Sequence, residues 1–422
     1  MKKVIFLMVI FMHTLSFADE KVLANAVQYS SIKRDYTGTA TLVIMIKGGL
    51  FREDVQNNGV GSLFSSVWFK SGKLLGESEF LGGSLNAASA ADFFEFSLSA
   101  ATENFDKLLA PLKTQLLSPS FNRAVFNTEK NLLLMQLEAE KDEPNTISFQ
   151  NFNAASYPNH PYSLRINGTS ATVEKLKFED MQNYYDLSFH GADMTAVLVG
   201  NFTSAQEKAV IQILSAFPKG EPIKIDCSRS DIKAVSSSED FDSRIQQAKL
   251  FLAYTAPAAS SEDFAAVKLL SELLGGAMSS RYFTVLRKEK GYAYAVSSMY
   301  PSRLCSSRLI GYIGLAPENI DDAVKSMQQI NKTIMQGLTE EDILKAKNHL
   351  IGALLSDIET NSRLAWYTAF FKNLGLGFNH LDAYVEQLNA LSKKDLERLL
   401  LLFDKPYTLY VYKPDNHKGV EN

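Results

Sequence analysis

"EKNLLLMQLEA", residues 129–139, decides the architecture, because a related stretch, "AKNHLIGALLS", returns at residues 346–356. Each lies inside a long amphipathic helical pattern, with apolar residues recurring every three or four positions. Matching Lys130 to Lys347 sets an offset of 217 residues (347 minus 130). A second pair follows in the same order. "VEKLKFEDMQNYYDLSFHGADMTAVLVG" (173–200) resembles "LNALSKKDLERLLLLFDKPYTLYVY" (388–412), and Asp180 meets Asp395 at an offset of 215 (395 minus 180). Two ordered matches at nearly one offset argue for an internal duplication.

Outward from these helices, each half opens on a strand pattern rich in β-branched and aromatic residues, "ATLVIMIKGG" from Ala40 and "AKLFLAYTAPA" from Ala248. Each half closes on another, "MTAVLVGNF" from Met194 and "YTLYVYKP" from Tyr407. The pattern predicts an α+β protein of two homologous domains, each roughly 200 residues long, with helices packed on a mostly antiparallel sheet. The expected boundaries are 19–217 and 244–422. The polar, poorly periodic segment "PKGEPIKIDCSRSDIKAVSSSEDFDS" (218–243) reads as the linker between them.

The chain has 422 residues, 46% of them hydrophobic and 21% charged, which suits a globular protein with a substantial core. A formal net charge of −4 gives no electrostatic case for nucleic acid. The first residues, "MKKVIFLMVIFMHTLSFADE", carry two lysines, an apolar run from Val4 to Met12, and Ser16-Phe17-Ala18 before Asp19. That is the pattern of a secretory signal peptide over 1–18, with an uncleaved tether as the alternative. The apolar run is too short to span a bilayer, so no stable membrane insertion is expected. The mature chain is then expected outside the inner membrane, periplasmic or extracellular. Cys227 and Cys305 could pair there or stay free, and neither has redox or zinc-ligand spacing.

"NNGVGSLFSSVWFKSG", residues 57–72, poses the functional question. Val60, Leu63, Phe64, Val67 and Trp68 form one apolar helical stripe, while Ser62, Ser65 and Ser66 line a neighbouring face. No charge occurs between Asp54 and Lys70, so that second face is expected to look into a cavity or onto another element. The serines have no nearby histidine or lysine base, which argues against nucleophilic catalysis.

Taken with the duplication, this segment resembles the pitrilysin/insulinase-type zinc endopeptidases, in the short form of processing-peptidase subunits and secreted bacterial relatives. The resemblance spans essentially the whole mature chain and implies half of a clam-shell chamber. In that family a glycine-led helix carries H-x-x-E-H. The resemblance puts the two zinc histidines on Ser62 and Ser66, the general base on Ser65, and the third zinc ligand on Gln136, seven residues after a retained Glu129. Hydroxyls and a neutral amide are poor zinc ligands, and none of these groups can take a proton from water. The expectation is therefore a degenerate site with no metal or cofactor bound by this chain. His160, His190, His349, His380 and His417 are each isolated in sequence and offer no substitute pair.

Other family features survive. "LGGSLNAASAADFFEFSL" resembles the family's substrate-pairing edge strand, with Gly83, Asn86 and Ala87 where extended peptide would lie; the plain alternative is an ordinary glycine-bearing edge strand. "LLGGAMSSRYFTVLRKEKGYAYAVSS" carries Arg287 and Tyr294 at the spacing of the pair that the family brings across the chamber to the zinc site. A guanidinium and a phenol suit an oxyanion, although a structural salt bridge and a core tyrosine would use the same residues. The resemblance implies a non-zinc subunit of a heterodimeric endopeptidase. It would act on peptides or unfolded polypeptides with a zinc-bearing homologous partner and supply Arg287 and Tyr294 in trans. The competing expectation is a non-catalytic peptide-binding or scaffolding protein of the same fold.

Overall fold

The computed structural model describes residues 19–415. The expected signal peptide at 1–18 lies outside the described residues, as does His417.

The first half begins with β1 (Asp19–Val22), β2 (Gln28–Lys33) and β3 (Thr39–Lys47), followed by α1 (Val60–Lys70) and α2 (Leu74–Phe80). A hairpin of β4 (Ser84–Ser89) and β5 (Phe93–Ala101) leads into α3 (Thr102–Leu117), α4 (Arg123–Glu140) and α5 (Pro144–Ser156). Then come α6 (Ser170–Val173), α7 (Phe178–Ser188), β6 (Met194–Gly200) and α8 (Ser204–Ser215). The second half opens with β7 (Ser236–Asp242), β8 (Ala248–Ala256) and α9 (Phe264–Gly275), then β9 (Ala293–Met299) and β10 (Ser307–Leu315). It continues through α10 (Ile320–Thr333), α11 (Glu340–Asp357), α12 (Asn361–Asn373), α13 (His380–Ala390) and α14 (Lys393–Glu397) to β11 (Tyr407–Pro414).

The six-stranded first sheet, β1-β2-β6-β3-β5-β4, and the five-stranded second sheet, β7-β11-β8-β10-β9, have the same order apart from the additional edge strand β1. Both are antiparallel except for one parallel pair each, β2 with β6 and β7 with β11. The architecture is therefore two α+β domains with mixed sheets. Strand β7 lies inside the segment read as a linker, 218–243, and its pairing with β11 makes it an edge of the second sheet.

The matched residues of the repeat do matching work. Lys130 Nζ donates to the carbonyls of Glu174 and Leu176 at 2.9 and 2.8 Å, and Lys347 Nζ donates to those of Asn389 and Leu391 at 3.0 and 2.5 Å. In each half a lysine from the long helix thereby satisfies carbonyls left open where a later helix ends. Asp180 and Asp395 then accept from the backbone N–H of Lys177 and Ser392, at 2.7 and 2.8 Å, starting α7 and α14 in the same way.

The halves also exchange a helix. β3 is buried on both faces: Leu42, Ile44 and Ile46 join the core under α1 and α3, while Val43 and Met45 join the larger core of the second half. The element covering that far face is α12, whose Leu364, Ala365 and Ala369 are fully buried. Two-sided burial is why β3 reads as a continuous apolar run and not as an alternation. Reciprocally, α5 packs on the second sheet, with Phe152 stacked on Phe251 at 4.9 Å. The buried guanidinium of Arg308 on β10 fastens this exchange. It donates to the carbonyls of Ser230 and Ser307 at 2.7 and 3.0 Å and to that of Ser156, and it lies 3.7 Å over the Tyr157 ring.

Candidate functional site

Helix α1 is positioned from its N-terminal end. Gly59 precedes it at φ +96°, a conformation that glycine adopts without strain, and a Cβ there would lie 2.8 Å from the Asn167 carbonyl oxygen. The buried carboxylate of Glu53 then accepts from the N–H groups of Gly59 and Gly61, at 2.8 and 3.2 Å, and from Asn58 Nδ2 at 2.8 Å. Burial pushes this carboxyl up to about 7, more strongly than the three hydrogen bonds pull it down. Below, Leu63, Phe64, Val67 and Trp68 fill the first core, and the indole donates to the Gln115 carbonyl at 3.1 Å. Lys70 at the far end forms a two-pronged ion pair with Glu129 of α4, at 2.8 Å to each oxygen. Glu129 is 6% exposed, so the glutamate retained from the family pattern is occupied by a cation of this chain.

Helix α1 packs against β4, α4 and α7, and on its serine face Ser65 is buried while Ser62 and Ser66 are half-buried. Ser65 Oγ donates back to the Ser62 carbonyl at 2.7 Å, and Ser62 Oγ donates to Asn167 Oδ1 at 2.9 Å. Asn167 Nδ2 donates to Glu140 at 3.0 Å, and Glu140 also accepts from Gln136 at 3.1 Å and Gln150 at 3.0 Å. Ser62 and Gln136 are thus connected, but only through Asn167 and the Glu140 carboxylate. Sequence reasoning missed both intermediaries; the one available signal was the i, i+4 spacing of Gln136 and Glu140 on one helix face. No three His, Cys, Asp or Glu side chains come together as a metal site among the described residues. Neither Ser62 nor Ser65 hydrogen-bonds a histidine or lysine, so no proton acceptor stands beside either hydroxyl.

β4 is the edge of the first sheet, with Asn86 and Ala87 on opposite faces. Ala87 packs toward the α1 core, whereas Asn86 turns to the other face and donates to Glu95 at 3.3 Å. Gly83 lies where a Cβ would meet Ser78 Oγ at 2.7 Å and the Ser99 carbonyl at 2.9 Å, so its missing side chain is used by this chain's own packing.

Arg287 and Tyr294 stand on the second sheet's side, on a π-helical turn (Phe283–Glu289) and on edge strand β9. The guanidinium carbon lies 4.9 Å from the Phe283 ring centre and 5.9 Å from that of Tyr294. Among the described residues Arg287 has no ion-pair partner, and Tyr294 is 80% exposed, so neither a salt bridge nor a core position explains them.

Cys227 and Cys305 form a disulfide, Cα to Cα 5.2 Å, which ties the connecting segment to the loop between β9 and β10. Beside it the Tyr162 hydroxyl accepts from the Cys305 N–H at 3.2 Å and bonds the buried Asp92. No helix among the described residues is long and apolar enough to cross a membrane.

Comparison with known proteins agrees with this geometry. The family described as "Insulinase (Peptidase family M16)" matches residues 29–170, and "Peptidase M16 inactive domain" matches residues 175–350. A Bacillus subtilis protein named uncharacterized zinc protease YmxG is 24% identical over 387 residues, covering 89% of this chain and 93% of its own. A Helicobacter pylori protein named non-peptidase homolog YmxG is 24% identical over 366 residues, covering 84% of this chain and 83% of its own. The crystal structure of a peptidase M16 inactive domain from Pseudomonas fluorescens superposes with a TM-score of 0.85 at 18% identity, covering 94% of this chain and 98% of that one. Two adjoining family matches, the second to the domain described as inactive, and a shared two-sheet fold lead to one conclusion: the chain belongs to peptidase family M16, the insulinase family.

Proposed function

We propose that this chain is the non-zinc subunit of a heterodimeric M16 endopeptidase. The observation carrying this reading is the Arg287–Tyr294 pair: two exposed donors, the guanidinium carbon 5.9 Å from the phenol ring centre, with no ion-pair partner for Arg287 among the described residues and no core position for Tyr294. Ser62, Ser65, Ser66 and Gln136 hold the degenerate zinc positions, and zinc belongs to the homologous partner. Extended peptide pairs along β4 through Gly83, Asn86 and Ala87, adding a strand to the open edge. In the assembled chamber Arg287 and Tyr294 donate to the carbonyl oxygen that becomes an oxyanion as water attacks. The N-terminal pattern and the Cys227–Cys305 disulfide favour an oxidising, extracytoplasmic site of action.

The test is reconstitution with a zinc-bearing M16 chain and an unfolded peptide substrate. Alone, this protein should hold no stoichiometric zinc and cleave nothing. In the complex, Tyr294→Phe removes just the hydroxyl and should lower kcat by about 10²–10³-fold without weakening assembly. Arg287→Ala should act likewise, with a thermal melt to control for lost packing. Parental turnover from assembled Tyr294→Phe and Arg287→Ala complexes would overturn the trans-catalytic reading.

The non-catalytic peptide-binding reading has one specific support, the satisfied network of Ser62, Asn167, Glu140 and Gln136, which fills the former metal site with this chain's own hydrogen bonds. A complex that binds peptide but never depends on Arg287 or Tyr294 would select it.

A further inference from the structure

On the face of the first sheet away from the serines, a cavity of about 260 Å³ opens beside β4. Its floor is Glu95 and Ser97 of β5, its rim is Ser84 and Asn86 of β4, and its far wall is Arg363 and Trp366 of α12. The second half therefore completes a cavity on the first half's sheet. The Glu95 carboxylate accepts from Trp366 Nε1 at 2.6 Å and from Asn86 Nδ2 at 3.3 Å, which leaves about half of its acceptor capacity unused. No cation pairs with it among the described residues. Arg363 does not neutralise it, because that guanidinium forms its own two-pronged pair with Asp357. The indole is likewise spoken for, stacked on Phe370 on one face with Arg363 over the ring. Arg363 is balanced by Asp357, so Glu95 is the one carboxylate lining the cavity and has no ion-pair partner among the described residues.

We infer that this cavity is a side-chain subsite that takes a lysine or arginine of an extended peptide held on β4. This rests on the reading of β4 as the peptide-docking edge and adds to it a substrate class. A strand added to β4 would lie about 4.8 Å beyond it, with alternate side chains entering the Glu95 face. Because the carboxylate leans outward to Asn86, a long cationic side chain on the added strand reaches it across a single strand. Small side chains leave the charge unpaired and acidic ones are repelled by it, so the structure selects for a basic residue at that one register position.

The experiment uses the full mature chain and three fluorescein-labelled unfolded peptides identical except at one position, which holds lysine, norleucine or glutamate. Moving that position along the peptide finds the register. The expected result is tightest binding of the lysine peptide, by roughly fivefold to tenfold over norleucine at low salt, since the pair is partly solvated. Glutamate should be weakest. Glu95→Gln should bring the lysine and norleucine affinities together, abolishing the preference for lysine. Equal binding of lysine and norleucine peptides at every position, by the unmodified protein, overturns the subsite alone. Absence of binding by all three overturns the docking edge and the subsite with it.

Discussion

Replacing Glu53 by glutamine tests how the serine-bearing helix is held. The native carboxyl is raised from an ordinary 4.5 to about 7, so the folded state keeps a proton that the unfolded state has released. A raised carboxyl contributes its stability in full below the unfolded pKa and loses it as pH rises through the folded one. Between those values unfolding releases one proton, and stability falls by about 1.4 kcal/mol per pH unit. From about pH 5.5 to about pH 8 the loss attributable to Glu53 is about 2 kcal/mol. Glutamine has nearly the shape of the protonated acid and no charge to desolvate. Glu53→Gln should therefore change stability relative to the parent by about 2 kcal/mol in its own favour between those two pH values. Urea unfolding of both proteins at both pH values gives this difference of differences, in which every other titrating group cancels. If the difference is the same at both pH values, Glu53 is ionised throughout, and the helix N-terminus with its three donors outweighs burial.

Two further outcomes follow from the site and its supports. Ser62→His, Ser66→His and Gln136→Glu together should create a chain that retains roughly one zinc through gel filtration, because i and i+4 already share one face of α1; a folded triple variant with no more zinc than the parent in elemental analysis would mean that these are not the former ligand positions. Cys227→Ser with Cys305→Ser should lower stability by as much as about 4.5 kcal/mol, the chain-entropy value for a closed loop of this length. Unfolding midpoints unchanged between the double variant and the oxidised parent would show that the bridge constrains nothing in the unfolded chain.

The sequence by itself determined the duplication, and through it the two sheets. Lys130 with Lys347, and Asp180 with Asp395, could be matched in sequence because each acts locally, on carbonyls or N–H groups of neighbouring helix ends. The strands β3, β6, β8 and β11 were legible because burial on both faces writes a continuous apolar run. The serine face of α1 was legible for the opposite reason, since a charge-free polar stripe has no place in open solvent. Strand β7 was not legible: "SSSEDFD" has almost no apolar content, and its order comes from the β11 backbone beside it. Tertiary structure alone decided the exchange of α5 and α12 between the halves, because an apolar helix face records that it is buried and not which sheet buries it. It also decided the partners of the site. Asn167 and Glu140 join Ser62 to Gln136, Glu129 meets Lys70, and Glu95 meets Trp366 across 271 residues of chain. Hydrogen bonds and ion pairs between distant segments leave no period in a sequence, so only the folded chain shows which carboxylates are already paired.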